Sequence, residues 1–246
     1  MAATPEGRAA TEAHRRLQAR LATLTVAEMR ALWRLLDPQD IDSTVDGWVL
    51  ASGRLIRQQH DASVQIAERY LTRFRQAEIG QPHTGTLPRP GLSDEAVRTS
   101  LLVTGPFRIR KKLGQGGDLA DAARTAFLTS TAAATRHALN GGRDLVIGAV
   151  NQDRRAVGWA RATSARPCAF CALLASRGPV YKTEASATFQ PHDACACHPE
   201  PVYRDDSEWP GRAREWSDLY SEAAQGQSDP LTTFRRAYEG RTQDTQ

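Results

Sequence analysis

Apolar residues recur at three- and four-residue spacing through most of the chain, which predicts a protein built mainly from helices. Leu17, Leu21 and Leu24 open this pattern after a polar start, with residues 1–10 expected to fray. Thr25 followed by Glu28 reads as a capping box for a helix Val26–Leu36, with Met29, Leu32, Trp33 and Leu36 on one face. Asp37-Pro38 breaks it. A long helix is expected over Asp42–Ile79, its stripe made by Val45, Trp48, Val49, Leu55, Ile56, Ile66, Tyr70 and Phe74. His60 reads as a half-exposed packing residue within it, and Gly80 as its left-handed stop.

Three prolines mark Gln81–Leu92 as a linker. Ser93 caps a helix Asp94–Val103 that ends at Gly105-Pro106. Gly114-Gln115-Gly116-Gly117 follows no clear strand and lacks a Gly-Lys-Ser/Thr, so it reads as a hinge and not a phosphate cradle. A helix rich in Ala and Thr is expected over Asp118–Leu139, stopped by Asn140-Gly141-Gly142, with Leu145–Val150 either a strand or a short helix. Beyond it the period shortens. Trp159 begins a strand, Ala169–Ser176 is a short helix, and Val180–Tyr181 could pair with Ala196–Tyr203. Arg204-Asp205-Asp206 reads as a turn. Helices Arg212–Ala224 and Leu231–Tyr238 close the chain, with a loose tail after Gly240. The expected class is α+β, mostly α. Residues 1–80 form a helical bundle or docking arm, 81–92 a linker, 93–205 a unit with a small α+β module, and 206–246 the C-terminal helices and tail.

All four cysteines fall in one stretch, Pro167-Cys168-Ala169-Phe170-Cys171 and His192-Asp193-Ala194-Cys195-Ala196-Cys197-His198. Cys-x-x-Cys on a turn aims two sulfurs at one point. Cys-x-Cys on an extended segment puts two on one side. His192 can fold back onto the same centre, and His198 is a spare. Thiolate and imidazole are the ligands zinc takes in tetrahedral sites, so Cys168, Cys171, His192, Cys195 and Cys197 are the candidate set for one structural Zn²⁺. Buried thiols, disulfides and a redox Cys-x-x-Cys are the alternatives. The first ten residues show no apolar leader core, which argues against an oxidising compartment, and no βαβ pattern surrounds a redox pair.

The chain of 246 residues has 40% hydrophobic residues, 7% aromatics, a mean hydropathy of −0.50 and a net charge of +4. Sparse aromatics suit helices packed along extended seams. The charge is mild for a nucleic-acid binder. Its densest local run is Arg108, Arg110, Lys111 and Lys112, either a contact for DNA or an acidic partner or, more simply, a solvated helix face. No apolar run approaches the length of a membrane span. Gly-x-Ser-x-Gly and His-Glu-x-x-His are absent, and Thr129-Ser130-Thr131 lacks the glutamate of an ADP-ribosyltransferase set.

Val157 to Thr163, Pro167 to Tyr181 and Phe189 to Cys197 together resemble the Mu-F-like minor head proteins of tailed phages. The shared pattern is Cys-x-x-Cys, a short helix ending in Gly, a strand, and a His-Pro-x-Cys-x-Cys close. Asp193 stands where that pattern usually has Pro. The motif-bearing likeness covers about residues 120–205. It implies a minor capsid protein of the head interior, working with portal and with major capsid or scaffold proteins; contact with packaged DNA would fall to Arg108, Arg110, Lys111 and Lys112. The actinobacterial-phage branch of this family is often labelled capsid maturation protease, which is the enzymatic alternative. A zinc-ribbon-like nucleic-acid binder is a third.

Overall fold

A computed structural model describes residues 2–83, 85–164, 166–181, 189, 191–204, 209 and 211–243. It is mostly α, with one small antiparallel sheet, as the periodicity predicts. Helix α1 (Pro5–Leu32) leads through a 3₁₀ turn (Trp33–Leu35) to α2 (Ile41–Ile79). Then come α3 (Asp94–Thr104), α4 (Pro106–Gly114) and α5 (Leu119–Gln152). Strands β1 (Gly158–Ala162), β2 (Pro179–Tyr181) and β3 (His198–Val202) follow, with α6 (Ala169–Ala175) between the first two. Helices α7 (Ala213–Ala224) and α8 (Pro230–Gln243) end the chain.

The start of the chain is anchored where fraying was expected. Thr4 caps α1 by accepting the Gly7 N–H at 2.9 Å, and Pro5 occupies the first turn, where its missing N–H removes nothing. Two buried carboxylates hold the residues before it. Glu78 accepts from Ala3 N–H, Thr4 N–H and the Thr4 hydroxyl, and Glu200 accepts from Ala2 N–H at 3.0 Å. Thr25 is no cap. It lies fully buried within α1 and its hydroxyl donates to Leu21 O at 2.8 Å. The sequence cue fails because a threonine can satisfy its hydroxyl inside a helix as readily as at its end.

Helix α5 runs unbroken through Asn140-Gly141-Gly142 to Gln152, so Leu145–Val150 is its last part and not a separate element. The glycines serve packing here. A Cβ on Gly141 would stand 2.5 Å from His60 O, and one on Gly142 would stand 2.6 Å from Gln18 Nε2 and 2.8 Å from Ser63 Oγ. Their bare backbones let α5 press against α2 and α1. Ser63 Oγ accepts the Gly142 N–H at 3.0 Å and donates to Gln18 Oε1 at 3.0 Å, which completes the crossing. His60 is buried at this contact and not half-exposed.

Two apolar clusters fill the helical body. One joins Met29, Trp48, Ile56, Leu101, Ile109 and Ala126, and so draws on both sides of the 81–92 segment. The other joins Val64, Tyr70, Phe74, Leu145, Val146 and Trp159, tying the sheet to α2 and α5. A third, with Ala172, Trp216, Leu219, Phe234 and Tyr238, packs α6, α7 and α8 together. The sheet order is β2-β1-β3, antiparallel throughout. The segments at 180 and 200 do not pair with each other; each pairs with β1, Trp159 standing opposite Val180 on one side and Pro201 on the other. Helix α8 runs past Gly240 to Gln243, and residues 205 and 206 of the expected turn lie outside those described.

Histidines 14, 137 and 198 are buried, and burial is the main force holding each imidazole below its ordinary range. His137, near the Arg136 guanidinium as well, falls to about 4. A histidine whose folded pKa is depressed contributes stability above its unfolded pKa near 6.5, and loses it as pH falls. Urea unfolding between pH 7 and 4.5 should therefore show falling stability, and His137→Asn should flatten part of that slope. Gly142→Ala should destabilise by about 1–3 kcal/mol through overpacking, whereas Gly53→Ala, at an open position inside α2, should stabilise by roughly 0.5–1 kcal/mol in the same measurement.

Candidate metal centre

Cys168 caps the N-terminus of α6, with Cys171 one turn along. Its sulfur accepts the Cys171 N–H at 3.4 Å, so the local fold points both sulfurs the same way. The second half of the site is a turn in which Cys195 N–H donates to His192 O at 3.1 Å. Ala194 closes that turn with φ of 60°, a left-handed conformation that costs an L-residue about 1–2 kcal/mol. The turn brings His192 back over the cysteines.

The two halves meet. His192 Nε2 lies 3.1 Å from Cys168 Sγ and 3.2 Å from Cys171 Sγ, and Cys171 Sγ lies 3.6 Å from Cys195 Sγ. Cys168, Cys171 and His192 form one group of converging donors. Cys171, Cys195 and Cys197 form another, with donor atoms within 4.8 Å of one another in each. Cys171 belongs to both. Tetrahedral zinc with Zn–S near 2.3 Å and Zn–N near 2.0–2.1 Å requires donor separations of roughly 3.5–3.8 Å, within a few tenths of those observed. The two groups are linked through Cys171, and together they make a cluster that could bind a metal. The cysteines are unbridged. His198 is not part of the cluster: its ring packs edge-on to His14 at 5.2 Å, against α1.

The electrostatics suit a shared negative charge. Hydrogen bonds from Cys171 and then Cys197 hold the Cys195 thiol well below its ordinary range, against the effect of burial, and the Arg143 guanidinium assists. Cys171 is raised by its bonds to Cys195 and Cys197 and by burial. For Cys197 the bond with Cys171 acts downward, but the bond to Cys195 and burial outweigh it and push the thiol up to about 12. His192 Nδ1 lies 2.7 Å from Asp193 O. A proton on Nδ1 satisfies that carbonyl and leaves the Nε2 lone pair facing the sulfurs, the arrangement metal-binding imidazoles favour.

Helix α5 supplies the surrounding shell, which sequence reasoning missed. Arg143 is buried; its Nε donates to Cys197 O at 3.0 Å, and its Nη2 donates to Cys195 O. Asn140 Oδ1 accepts from Arg143 Nη1 at 3.0 Å. Arg136 pairs with Asp193 at 2.6 Å, so the Asp at that position has a partner of its own. These residues fall at i, i+4 and i+7 on one face of α5, a spacing visible in the sequence only if the helix is read through Gly141-Gly142. Phe189 covers the cluster, with the Arg161 guanidinium 3.8 Å from its ring centroid. Thiolates gathered here would concentrate negative charge, and the buried Arg143 is the cation placed to offset it.

Fold and site together define a mostly helical protein with a small sheet beside a Cys/His cluster that could bind a metal. The family model described as VG15 protein matches residues 6–223, so the chain belongs to the VG15 protein family. It is also similar to the Gene 15 protein of Mycobacterium phage D29, 30% identical over 183 residues, which cover 58% of this chain and 65% of that protein. The chain thus spans just under two thirds of that relative's length. These matches identify a phage protein family. No solved structure matches.

Cys171→Ser should reduce metal binding more than Cys197→Ser, because only Cys171 belongs to both donor groups; titration with Zn²⁺ against a competing chelator measures the difference. Ala194→Gly should relieve the left-handed strain and raise thermal stability by about 1 kcal/mol without weakening metal binding.

Proposed function

We propose that this chain is a minor structural component of a phage head, built in during assembly, and that its Cys/His centre holds one structural Zn²⁺. The observation that supports this reading is the pair of donor groups, Cys168 with Cys171 and His192, and Cys171 with Cys195 and Cys197, in a member of a phage protein family. The metal would fasten a segment with few apolar side chains of its own, joining the start of α6 to the turn before β3. Closed coordination of this kind supplies folding energy and leaves no open position for substrate. The likeness to Mu-F-like head proteins supports a place in the head interior, beside the portal and the major capsid or scaffold proteins. Among the described residues no helix is long and apolar enough to cross a membrane.

A capsid maturation protease is the second reading, and one feature favours it. Cys168 is exposed, caps a helix and lies 3.1 Å from His192 Nε2, as a nucleophile would from its base. The same imidazole nitrogen stands at nearly equal distance from Cys171, which suits shared ligation better than a dyad.

Elemental analysis of the protein purified without added metal should find about one zinc per chain, and chelation should lower its melting temperature by 10 °C or more, since a structural zinc contributes several kcal/mol to folding. A metal-free protein with an unchanged melting curve would remove the zinc. Mass spectrometry of purified tail-free heads should detect the chain; its consistent absence would remove the virion role. Cys168→Ala that stays folded yet abolishes cleavage of capsid or scaffold chains would establish the protease.

A further inference from the structure

The basic run at 108–112 is less available to an anionic polymer than its composition suggests. Arg110 is paired with Asp42 of α2, and Lys112 with Asp121 of α5. Arg108 and Lys111 remain exposed, with no ion pair among the described residues, and α4 itself contains no acidic side chain. Phe107, 58% exposed, lies one helical turn before Lys111 on α4. Val103, 53% exposed, precedes it across the Gly105-Pro106 corner. Helix α5 runs alongside: Thr129 Oγ donates to Thr104 O at 2.6 Å, and its neighbour Leu128 is 60% exposed.

We propose that this corner of α3, α4 and α5 docks an acidic amphipathic helix of another protein, its apolar face on Phe107, Val103 and Leu128 and its carboxylates on Arg108 and Lys111. Two free cations would displace counterions from only two phosphates. That gives a log–log salt slope of about −1.8 for duplex DNA, a weak electrostatic footprint. A phosphate backbone also offers nothing to three exposed apolar side chains, whereas an amphipathic helix uses both kinds of group. A second copy meeting this patch about a two-fold axis through it is disfavoured, because the same cationic face would then oppose itself. This inference rests on the assembly reading only for where the partner is found.

The full chain can be tested with fluorescently labelled helical peptides of three heptads, Leu at the core positions and either Glu or Lys at the flanks, and with a labelled 30-base-pair duplex. The Glu-flanked peptide should bind. Arg108→Glu with Lys111→Glu should weaken it tenfold or more and switch preference to the Lys-flanked peptide. Phe107→Ser should also weaken it tenfold, with an unchanged circular dichroism spectrum. Equal binding of both peptides, no binding of the acidic one, or indifference to these substitutions overturns the proposal. So does tight duplex binding lost in the charge-reversed protein but kept by Phe107→Ser, or self-association abolished by Phe107→Ser. Finding the chain in tail-free heads is a separate measurement, so failure there leaves this result standing.

Discussion

The close crossing of α5 over α2 at Gly141 and Gly142 is the constraint on which the rest of the structure depends. Side chains at those positions would hold the helices apart. Without them, backbone meets backbone, Ser63 bridges Gly142 to Gln18 of α1, and the three long helices become one body. The same crossing sets the rotation of α5. One face of the helix is committed to α1 and α2, and the face carrying Arg136, Asn140 and Arg143 is thereby turned toward the turn at 192–197.

That rotation links packing to the chemistry of the cysteines. Burying several thiols in one place concentrates negative charge once any of them ionises, and low dielectric makes an uncompensated charge expensive. Arg143 meets this need twice. Its guanidinium fixes the backbone carbonyls of Cys195 and Cys197, and its charge favours the thiolate form of Cys195. The left-handed Ala194 is the strain accepted to bring His192 over the same point. The site is thus assembled from a helix cap, a strained turn and a distant helix, none sufficient alone.

The ends of the chain are drawn in by a different device. Glu78 at the end of α2 and Glu200 on β3 accept backbone N–H groups from residues 2–4, so the short segment before α1 is held by hydrogen bonds to buried carboxylates as well as by Ala2 packing on the apolar cluster. On the far side, α6 is held to α7 and α8 by Trp216, Phe234 and Tyr238, whose hydroxyl donates to Pro167 O at 2.6 Å beside the first cysteine. Both devices bear on the sheet and the cysteine segment from outside.

The sequence alone determined the class of the fold, the long helix ending at Gly80, the cap at Ser93, the strand at Trp159 and the cysteines and histidine that gather in two linked donor groups. Each of these rests on spacing between neighbours, and spacing is local. The tertiary structure decided what no local signal carries. Asn140-Gly141-Gly142 reads as a helix stop because glycine is permissive; only the surface of α2 makes it a contact. Thr25 reads as a cap because its hydroxyl can bond backbone; only burial shows that it bonds within α1. The two outer strands look like partners until β1 is seen lying between them. Arg143 is one arginine among many in the chain, and it becomes part of the site because a helix that should have ended carries it there.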